Sequence, residues 1–249
     1  MTDTQRRKRG FLAMLLAIAL TAAFPLGVLA DADGLDEDPF QQQEVEEITA
    51  EDAGEEEQQA AVASKPVSGS PQAAVLNAAE LSPVRPRSEA LGALLDELLP
   101  TIVSEDMDTY EQVKACYDYL VTNVSYGSHM KNLNTPVANG VTCARIYGDY
   151  GELEGFGAVA LTAKKGMCNA YASAFILMTR ELGLNAYLVK GSTRRSGGAY
   201  THHEWAEVKV GDKVYLFDPQ LEQNLRASGL PAYSVFCVTY DQVPGRYTK

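Results

Sequence analysis

The amino-acid sequence predicts an α+β domain in which helices pack on one side of an antiparallel sheet, preceded by a disordered N-terminal region. Three observations favour this fold class. Residues 31–84 are mostly acidic, polar or small and contain neither Trp nor Tyr. After Arg85, apolar residues recur at helical spacing, and after Gly183 the chain is rich in β-branched and aromatic residues. Helices followed by a run of strands are typical of α+β domains.

The first 30 residues have the order of a secretory signal. Basic residues at positions 6–9 precede the uncharged run Phe11–Ala30, which ends in small residues before Asp31. This order predicts a signal peptide over residues 1–30, and hence a protein that is secreted or held at the extracellular cell surface. The run is also about long enough to span a bilayer, so an uncleaved N-terminal membrane anchor is the alternative. Pro25 and the small residues favour cleavage.

Residues 31–84 are predicted to form a disordered acidic low-complexity linker. Residues 31–60 carry thirteen Asp and Glu and no Lys or Arg, so this tract accounts for the formal net charge of -12. Such a composition cannot bury enough apolar surface to offset the entropy of ordering. This composition favours a solvated tail without a specific ligand. The alternatives are a stalk that holds the domain away from a surface and a weak binding site for cations. The rest of the chain is nearly neutral and shows no basic stripe, so nucleic acid is not an expected partner.

Residues 85–249 are predicted to form the folded domain, which begins with helices. The predicted helices cover residues 88–99, a stretch that begins after Asp108, and Cys168–Leu182. Asp108 and Glu111 have the spacing of a capping box, which marks a helix start. Residues 125–162 are rich in Gly, Asn and Tyr, so we expect a long irregular connection there.

Strands follow the third helix. The predicted strands are Asn185–Gly191, His203–Val210, Lys213–Asp218 and Tyr233–Thr239. Gly211–Asp212 is a favourable two-residue hairpin turn. In the resulting register Trp205 lies opposite Asp218, and His203 lies opposite Gln220. His203 and Asp218 then share a face as diagonal neighbours, with a Cα separation of about 7–8 Å that their side chains can bridge.

Cys168, His203 and Asp218 are the candidate catalytic residues. The chain has three histidines, and the hairpin register selects His203, which the Asp218 carboxylate would orient. Cys168 opens a predicted helix, where backbone amides favour a negative charge on the thiol. A thiol, an imidazole and a carboxylate placed together are typical of nucleophilic catalysis. Gly166 lets the backbone approach a substrate closely.

Three blocks of the sequence resemble the transglutaminase-like superfamily, in particular its bacterial, exported type. The blocks are Gly166–Phe175, His203–Val208 and Tyr215–Pro219. The resemblance covers roughly residues 105–240 and implies a papain-like core. It places the family's nucleophile on Cys168, its base on His203 and its orienting acid on Asp218. These are the residues that the helix start and the hairpin register also select.

The segment before Cys168 departs from the family pattern. Phe156 stands where many members carry a Tyr, and Phe cannot donate a hydrogen bond. A second oxyanion donor beside the Cys168 N–H must then come from elsewhere, because losing one such donor costs about 3 kcal/mol of transition-state stabilisation. The candidates are Tyr147, Tyr150 and Trp205. Trp205 and Gly166 are assigned to substrate or oxyanion binding, and a Trp205 ring that shields the His–Asp pair is the alternative.

These residues predict an exported cysteine acyl-transfer enzyme that works through a thioester acyl-enzyme. It would act as a transglutaminase-like cysteine protease or amidase, or as an acyltransferase in transglutamination. The alternative is a catalytically inactive transglutaminase-like module that binds peptide or cell-wall material at the cell surface. We expect a monomer that uses no cofactor or metal. The expected partners are a peptide or protein substrate, including cell-surface or cell-wall material, and a membrane only through an uncleaved N-terminal segment.

The four cysteines have an even count, which in an exported protein is typical of two disulfides. The catalytic assignment sets Cys168 apart as a free thiol. Any disulfide then joins two of Cys116, Cys143 and Cys237, and the sequence leaves the pair open. The spacings contain no C-x-x-C, so they give no support to a structural zinc site.

Overall fold

The computed structural model describes residues 69–195 and 197–249. The predicted signal peptide or anchor at residues 1–30 and the linker up to residue 68 lie outside the described residues. In the part that is described, the helices are all too short or too polar to cross a membrane.

Helices and strands occur in the order that defines an α+β fold. The helices of the described part are α1 (Pro71–Asn77), α2 (Glu89–Leu98), α3 (Thr109–Asn123), α4 (Cys143–Tyr150), α5 (Glu152–Ala163), α6 (Cys168–Glu181) and α7 (Pro219–Ala227). The strands are β1 (Ser125–Tyr126), β2 (Pro136–Ala138), β3 (Val141–Thr142), β4 (Lys165–Gly166), β5 (Asn185–Arg194), β6 (Tyr200–Val210), β7 (Lys213–Phe217), β8 (Phe236–Val238) and β9 (Tyr247–Thr248). Five of them form an antiparallel sheet in the order β8-β7-β6-β5-β9. The predicted fold class is confirmed.

The three helices expected from apolar spacing are present, and local capping explains where they begin. Ser88 accepts a hydrogen bond from the Leu91 N–H at the start of α2. The capping box predicted for α3 is confirmed, because Asp108 accepts from the Glu111 N–H and Glu111 accepts from the Asp108 N–H. The third helix, α6, begins at Cys168, as expected. Side chains that satisfy first-turn amides fix a helix start locally.

The expectation of a long irregular connection over residues 125–162 is wrong, because α4 and α5 fill its second half. The glycines that suggested a loop instead allow close packing of helices. A Cβ at Gly157 would lie 2.3 Å from the Leu177 side chain of α6, and one at Gly155 would lie 2.6 Å from the Tyr147 Cα of α4. A glycine in a helix lowers stability by about 1 kcal/mol relative to alanine. The close packing against neighbouring helices explains why α5 nevertheless contains Gly155 and Gly157.

A helix also lies inside the segment predicted to be a disordered linker. The prediction is wrong for α1, which Ser70 caps by accepting from the Ala73 N–H. Leu76 is fully buried in the main core. Asn77 holds the start of α3 by accepting a hydrogen bond from the Tyr110 N–H. Tertiary contacts therefore order this short helix, although its own composition gives little sign of it.

The central sheet carries a core on each face. One core is shared with the helices, where aromatic rings meet edge to face, such as Tyr117 with Phe236 at 4.9 Å between centroids. The smaller core gathers Trp205 and Tyr247 with leucine and valine side chains, among them Leu225 of α7. Edge-to-face rings gain about 1 kcal/mol beyond the area that they bury. Strands β6 and β5 thus have packed side chains above and below them.

The predicted β6–β7 hairpin is confirmed, but its ladder is shorter than expected. Val210 pairs with Lys213, and the last pair joins Ala206 to Phe217. The predicted pairing of His203 with position 220 is wrong, because Pro219 starts α7 and turns the chain out of the sheet. Asp218 is therefore the N-cap of a helix and not a strand residue. His203 lies three residues beyond the last pair of this ladder.

Candidate active site

The structure brings His203 and Asp218 together in a buried hydrogen bond. Nε2 of His203 lies 2.7 Å from Oδ2 of Asp218, and the two side chains are 6% and 1% exposed. A carboxylate only accepts, so Nε2 is the donor. This contact fixes the orientation of the ring and leaves Nδ1 as the nitrogen that can face a thiol.

Cys168 lies at the N-terminus of α6, beside His203. Its side chain is buried, with 9% of the residue exposed, and it lies near enough to His203 to raise the pKa of the imidazole. Met167, the residue before it, carries a thioether instead of a capping oxygen. First-turn amides have no acceptor within their own helix, so the Cys168 N–H can stabilise a negative charge close to the thiol.

The surroundings of His203 favour its charged form. Burial by itself lowers the pKa of the imidazole, but the negative charge and hydrogen bond of Asp218 outweigh it, and the Cys168 side chain adds to the increase. The net effect raises the pKa of His203 to about 10. An imidazolium next to a thiol is the arrangement that activates a cysteine nucleophile.

Asp218 is held at both carboxylate oxygens. The Leu221 N–H donates to Oδ1 at 2.9 Å, as the cap of α7. The Tyr247 hydroxyl donates to Oδ2 at 2.8 Å, so Oδ2 accepts from both His203 and Tyr247. The backbone carbonyl of Asp218 in turn accepts from the Tyr117 hydroxyl at 3.0 Å. Sequence reasoning missed both tyrosines: Tyr117 fits the core stripe of a helix, and no local pattern marks Tyr247.

Trp205, a predicted oxyanion or substrate residue, lies beside the His203 ring. It is fully buried, and its ring lies nearly parallel to His203, with 6.2 Å between centroids and 18° between planes. Its indole N–H donates to the Tyr240 hydroxyl at 2.8 Å, which in turn donates to Glu207. Because this N–H is already engaged, the geometry fits the alternative, a ring that shields His203 and Asp218 from water.

Gly166, the other predicted substrate residue, is a packing position. It belongs to β4, which pairs in parallel with β1 and places Gly166 opposite Tyr126. A Cβ at Gly166 would lie 2.4 Å from the Ala170 Cβ in the first turn of α6. The missing side chain therefore lets β4 lie close to the helix start that carries Cys168.

Phe156 and the two tyrosines proposed to replace its lost donor pack around α4 and α5. Phe156 stacks on Tyr147 at 5.1 Å between centroids and contacts the His129 ring at 4.3 Å. The Tyr150 ring lies under the Arg87 guanidinium at 5.6 Å. These ring contacts identify no second oxyanion donor, so the donor that would act beside the Cys168 N–H stays a prediction.

All four cysteines lie in the described part of the chain and are free thiols. Burial raises the pKa of Cys116 and of Cys237 to about 12, and it also raises the pKa of Cys143. Thiols of this kind are inert packing residues. Among the described residues, His, Cys, Asp and Glu form no group of three or more that could hold a metal ion.

Two solved structures match part of this chain. The chain is similar to the crystal structure of a proposed cysteine protease from Cytophaga hutchinsonii, with 17% identity and a TM-score of 0.34 over 55% of this chain and 39% of that one. It is also similar to the crystal structure of a TGase, with 17% identity and a TM-score of 0.32 over 63% of this chain and 34% of that one. The chain thus spans less than half the length of either. No curated protein matches it.

The comparison with protein families gives a match in the region of this site. Residues 96–219, about half of the chain, match the core of the Transglutaminase-like superfamily. This range starts inside α2, ends at the first residue of α7, and contains Cys168, His203 and Asp218. The chain belongs to the transglutaminase-like superfamily.

Proposed function

We propose that this protein is a cysteine acyl-transfer enzyme that hydrolyses or transglutaminates amide bonds. The observation that carries the proposal is the buried contact of His203 with Asp218 at 2.7 Å, beside a cysteine at a helix N-terminus. Membership of a superfamily that is generally enzymatic supports it. A nucleophile, a base and an orienting carboxylate are the three parts that covalent acyl transfer requires.

In the proposed reaction, the Cys168 sulfur attacks the carbonyl carbon of an amide and forms a C–S bond. The Cys168 N–H stabilises the developing oxyanion. The imidazolium of His203 gives its proton to the leaving amine as the C–N bond breaks, which leaves a thioester. Water, or a second amine, then attacks the thioester and passes a proton to His203 as the C–S bond breaks, which returns the Cys168 sulfur and the imidazolium to their starting state. Asp218 keeps the ring oriented through both steps.

Alkylation of the native protein tests the nucleophile. Iodoacetamide should modify Cys168 faster than a free thiol, and His203→Ala should slow the reaction markedly. The matched control is His202→Ala, because His202 is the neighbouring, half-exposed histidine and contacts Glu204 instead of Asp218. Equal rates for the native protein and His203→Ala would contradict the proposal and favour the inactive binding module.

A second experiment identifies whether an amine or water accepts the acyl group from the thioester, because each acceptor gives a different product. Incorporation of a labelled primary amine into a glutamine-rich protein, lost in Cys168→Ala, would identify transglutamination. Release of new N-termini without amine incorporation would identify proteolysis. If the native protein forms neither product from peptide, protein or cell-wall substrates, the proposal of catalysis is contradicted.

We also propose that the protein is exported and acts on peptide or protein material at the cell surface. The proposal is supported by the basic, apolar and small-residue order of residues 1–30. N-terminal sequencing of full-length protein expressed in a bacterium is the test. A chain that begins near Asp31 and is found outside the cell supports cleavage. An intact N-terminus in the membrane fraction supports the anchor, and an intact chain in the cytoplasm contradicts export.

A further inference from the structure

Tyr247 lies at the C-terminal end of the chain, outside the region that matches the superfamily. It belongs to β9, which pairs with the edge of β5 and places Tyr247 opposite Thr193. A hydrogen bond from the Arg194 N–H to the Arg246 carbonyl, at 2.8 Å, also holds this segment. The last strand therefore brings a side chain from the end of the chain to the buried side of the sheet.

The phenol of Tyr247 reaches the carboxylate that orients His203. Its ring packs on Trp205 with 4.8 Å between centroids, and its hydroxyl donates to Asp218 Oδ2 at 2.8 Å. Burial and the charge of Asp218 raise the pKa of Tyr247 well above its usual range. The phenol therefore keeps its proton and remains a donor over the whole neutral range.

Two features show why the Tyr247 hydroxyl matters for the orientation of the Asp218 carboxylate. The terminal torsion of an Asp side chain is broad and roughly two-fold, so rotamer preference alone does not orient the carboxylate. The Leu221 N–H fixes Oδ1, and the Tyr247 hydroxyl fixes Oδ2. With both oxygens held, Oδ2 faces His203 Nε2 at 2.7 Å.

We propose that Tyr247 is a positioning residue of the active site, which holds the Asp218 carboxylate in the direction that orients His203. The inference rests on the proposed function. Strand β9 then contributes to the active site, and Tyr247 acts through Asp218 without contact with a substrate.

Tyr247→Phe tests the role, because it removes only the hydroxyl and keeps the ring on Trp205. The measurement is the rate of Cys168 alkylation by iodoacetamide in the full chain between pH 6 and 9. We expect the rate to fall roughly fivefold, the typical effect of one hydrogen bond. The matched control is Tyr200→Phe, since the Tyr200 hydroxyl donates to Gly245 in the same C-terminal segment at 2.7 Å. Its rate should equal that of the native protein.

A double-mutant cycle separates positioning from a general effect on stability. Asn caps a helix as well as Asp does, so Asp218→Asn keeps the start of α7 but removes the charge. In that background Tyr247→Phe should cause no further loss of rate. The same fivefold loss in both backgrounds would show that Tyr247 acts independently of Asp218 and would overturn the inference. An unchanged rate in Tyr247→Phe alone would overturn it too.

The same measurements distinguish a failure of the proposed function from a failure of the role assigned to Tyr247. If His203→Ala alkylates as fast as the native protein, the catalytic assignment is wrong. If His203→Ala is slow while Tyr247→Phe matches the native rate, the assignment stands and only the role of Tyr247 is wrong. Thermal unfolding of each variant confirms that the rates come from folded protein.

Discussion

The Asp218 carboxylate contacts His203 from the N-cap position of α7 and not from a paired position in the sheet. The β6–β7 ladder ends at Ala206 and Phe217, and Asp218 then caps α7 by accepting from the Leu221 N–H. Cap and partner are thus the same carboxylate: Oδ1 holds the helix and Oδ2 holds the imidazole. A substitution that removes both oxygens of Asp218 consequently affects the helix start as well as the orientation of His203, and variants of His203 and Trp205 then report on the site more cleanly.

We expect the free energy of unfolding to fall as the pH rises from about 6.5 to 10. The pKa of His203 is raised in the folded state from its ordinary value of 6.5 to about 10. The stabilisation from this group is therefore complete below pH 6.5 and is lost as the pH approaches 10. Each pH unit in this window removes up to about 1.4 kcal/mol.

Urea unfolding at several pH values measures this dependence. His203→Gln is the matched variant, because its amide can still donate to Asp218 but does not titrate. Subtracting its curve from that of the native protein removes the contribution of all other groups. Parallel curves for the two proteins above pH 6.5 would contradict the raised pKa.

Native protein should react with one equivalent of iodoacetamide near pH 8, and denatured protein with four. Burial raises the pKa of Cys116 and Cys237 to about 12 and raises that of Cys143, so these thiols stay protonated. Peptide mass mapping locates the modified residue, and we expect it to be Cys168. Fewer than four equivalents in denatured, unreduced protein would indicate a disulfide.

Gly166→Ala should destabilise the domain by about 1–3 kcal/mol, the usual cost of overpacking a core. The added Cβ would lie 2.4 Å from the Ala170 Cβ. The double variant Gly166→Ala with Ala170→Gly removes the contact and should recover part of the loss, beyond the cost of about 1 kcal/mol for a helical glycine. Additive losses in urea unfolding would show that the close packing is not the cause.

Trp205→Leu should slow Cys168 alkylation as well as destabilise the fold by about 2–4 kcal/mol. The loss of the indole leaves the Tyr240 hydroxyl without its donor and opens the space beside His203 to water. Ile146→Ala, in α4, makes a cavity in the main core instead, so it should destabilise the protein without changing the alkylation rate. Equal rates for the native protein and Trp205→Leu would contradict the shielding role.

Features set by neighbouring residues were predictable. The capping box of α3, the start of α6 at Cys168 and the hairpin turn between β6 and β7 each depend on a few consecutive residues. The register of that hairpin follows from its turn, and it placed His203 near Asp218 although the ladder ends before either residue. Local signals failed for Gly155 and Gly157, since glycine marks a loop and a close helix contact in the same way.

The sequence by itself determined the α+β class and the three residues proposed for catalysis, because helix starts, side-chain alternation and hairpin turns are local. Only the tertiary structure decided which groups hold them in place. Tyr247 reaches Asp218 across 29 positions of chain, and Tyr117 reaches it across 101. A hydrogen bond between such distant residues depends on the packing of whole strands and helices, and no periodicity in the sequence records it.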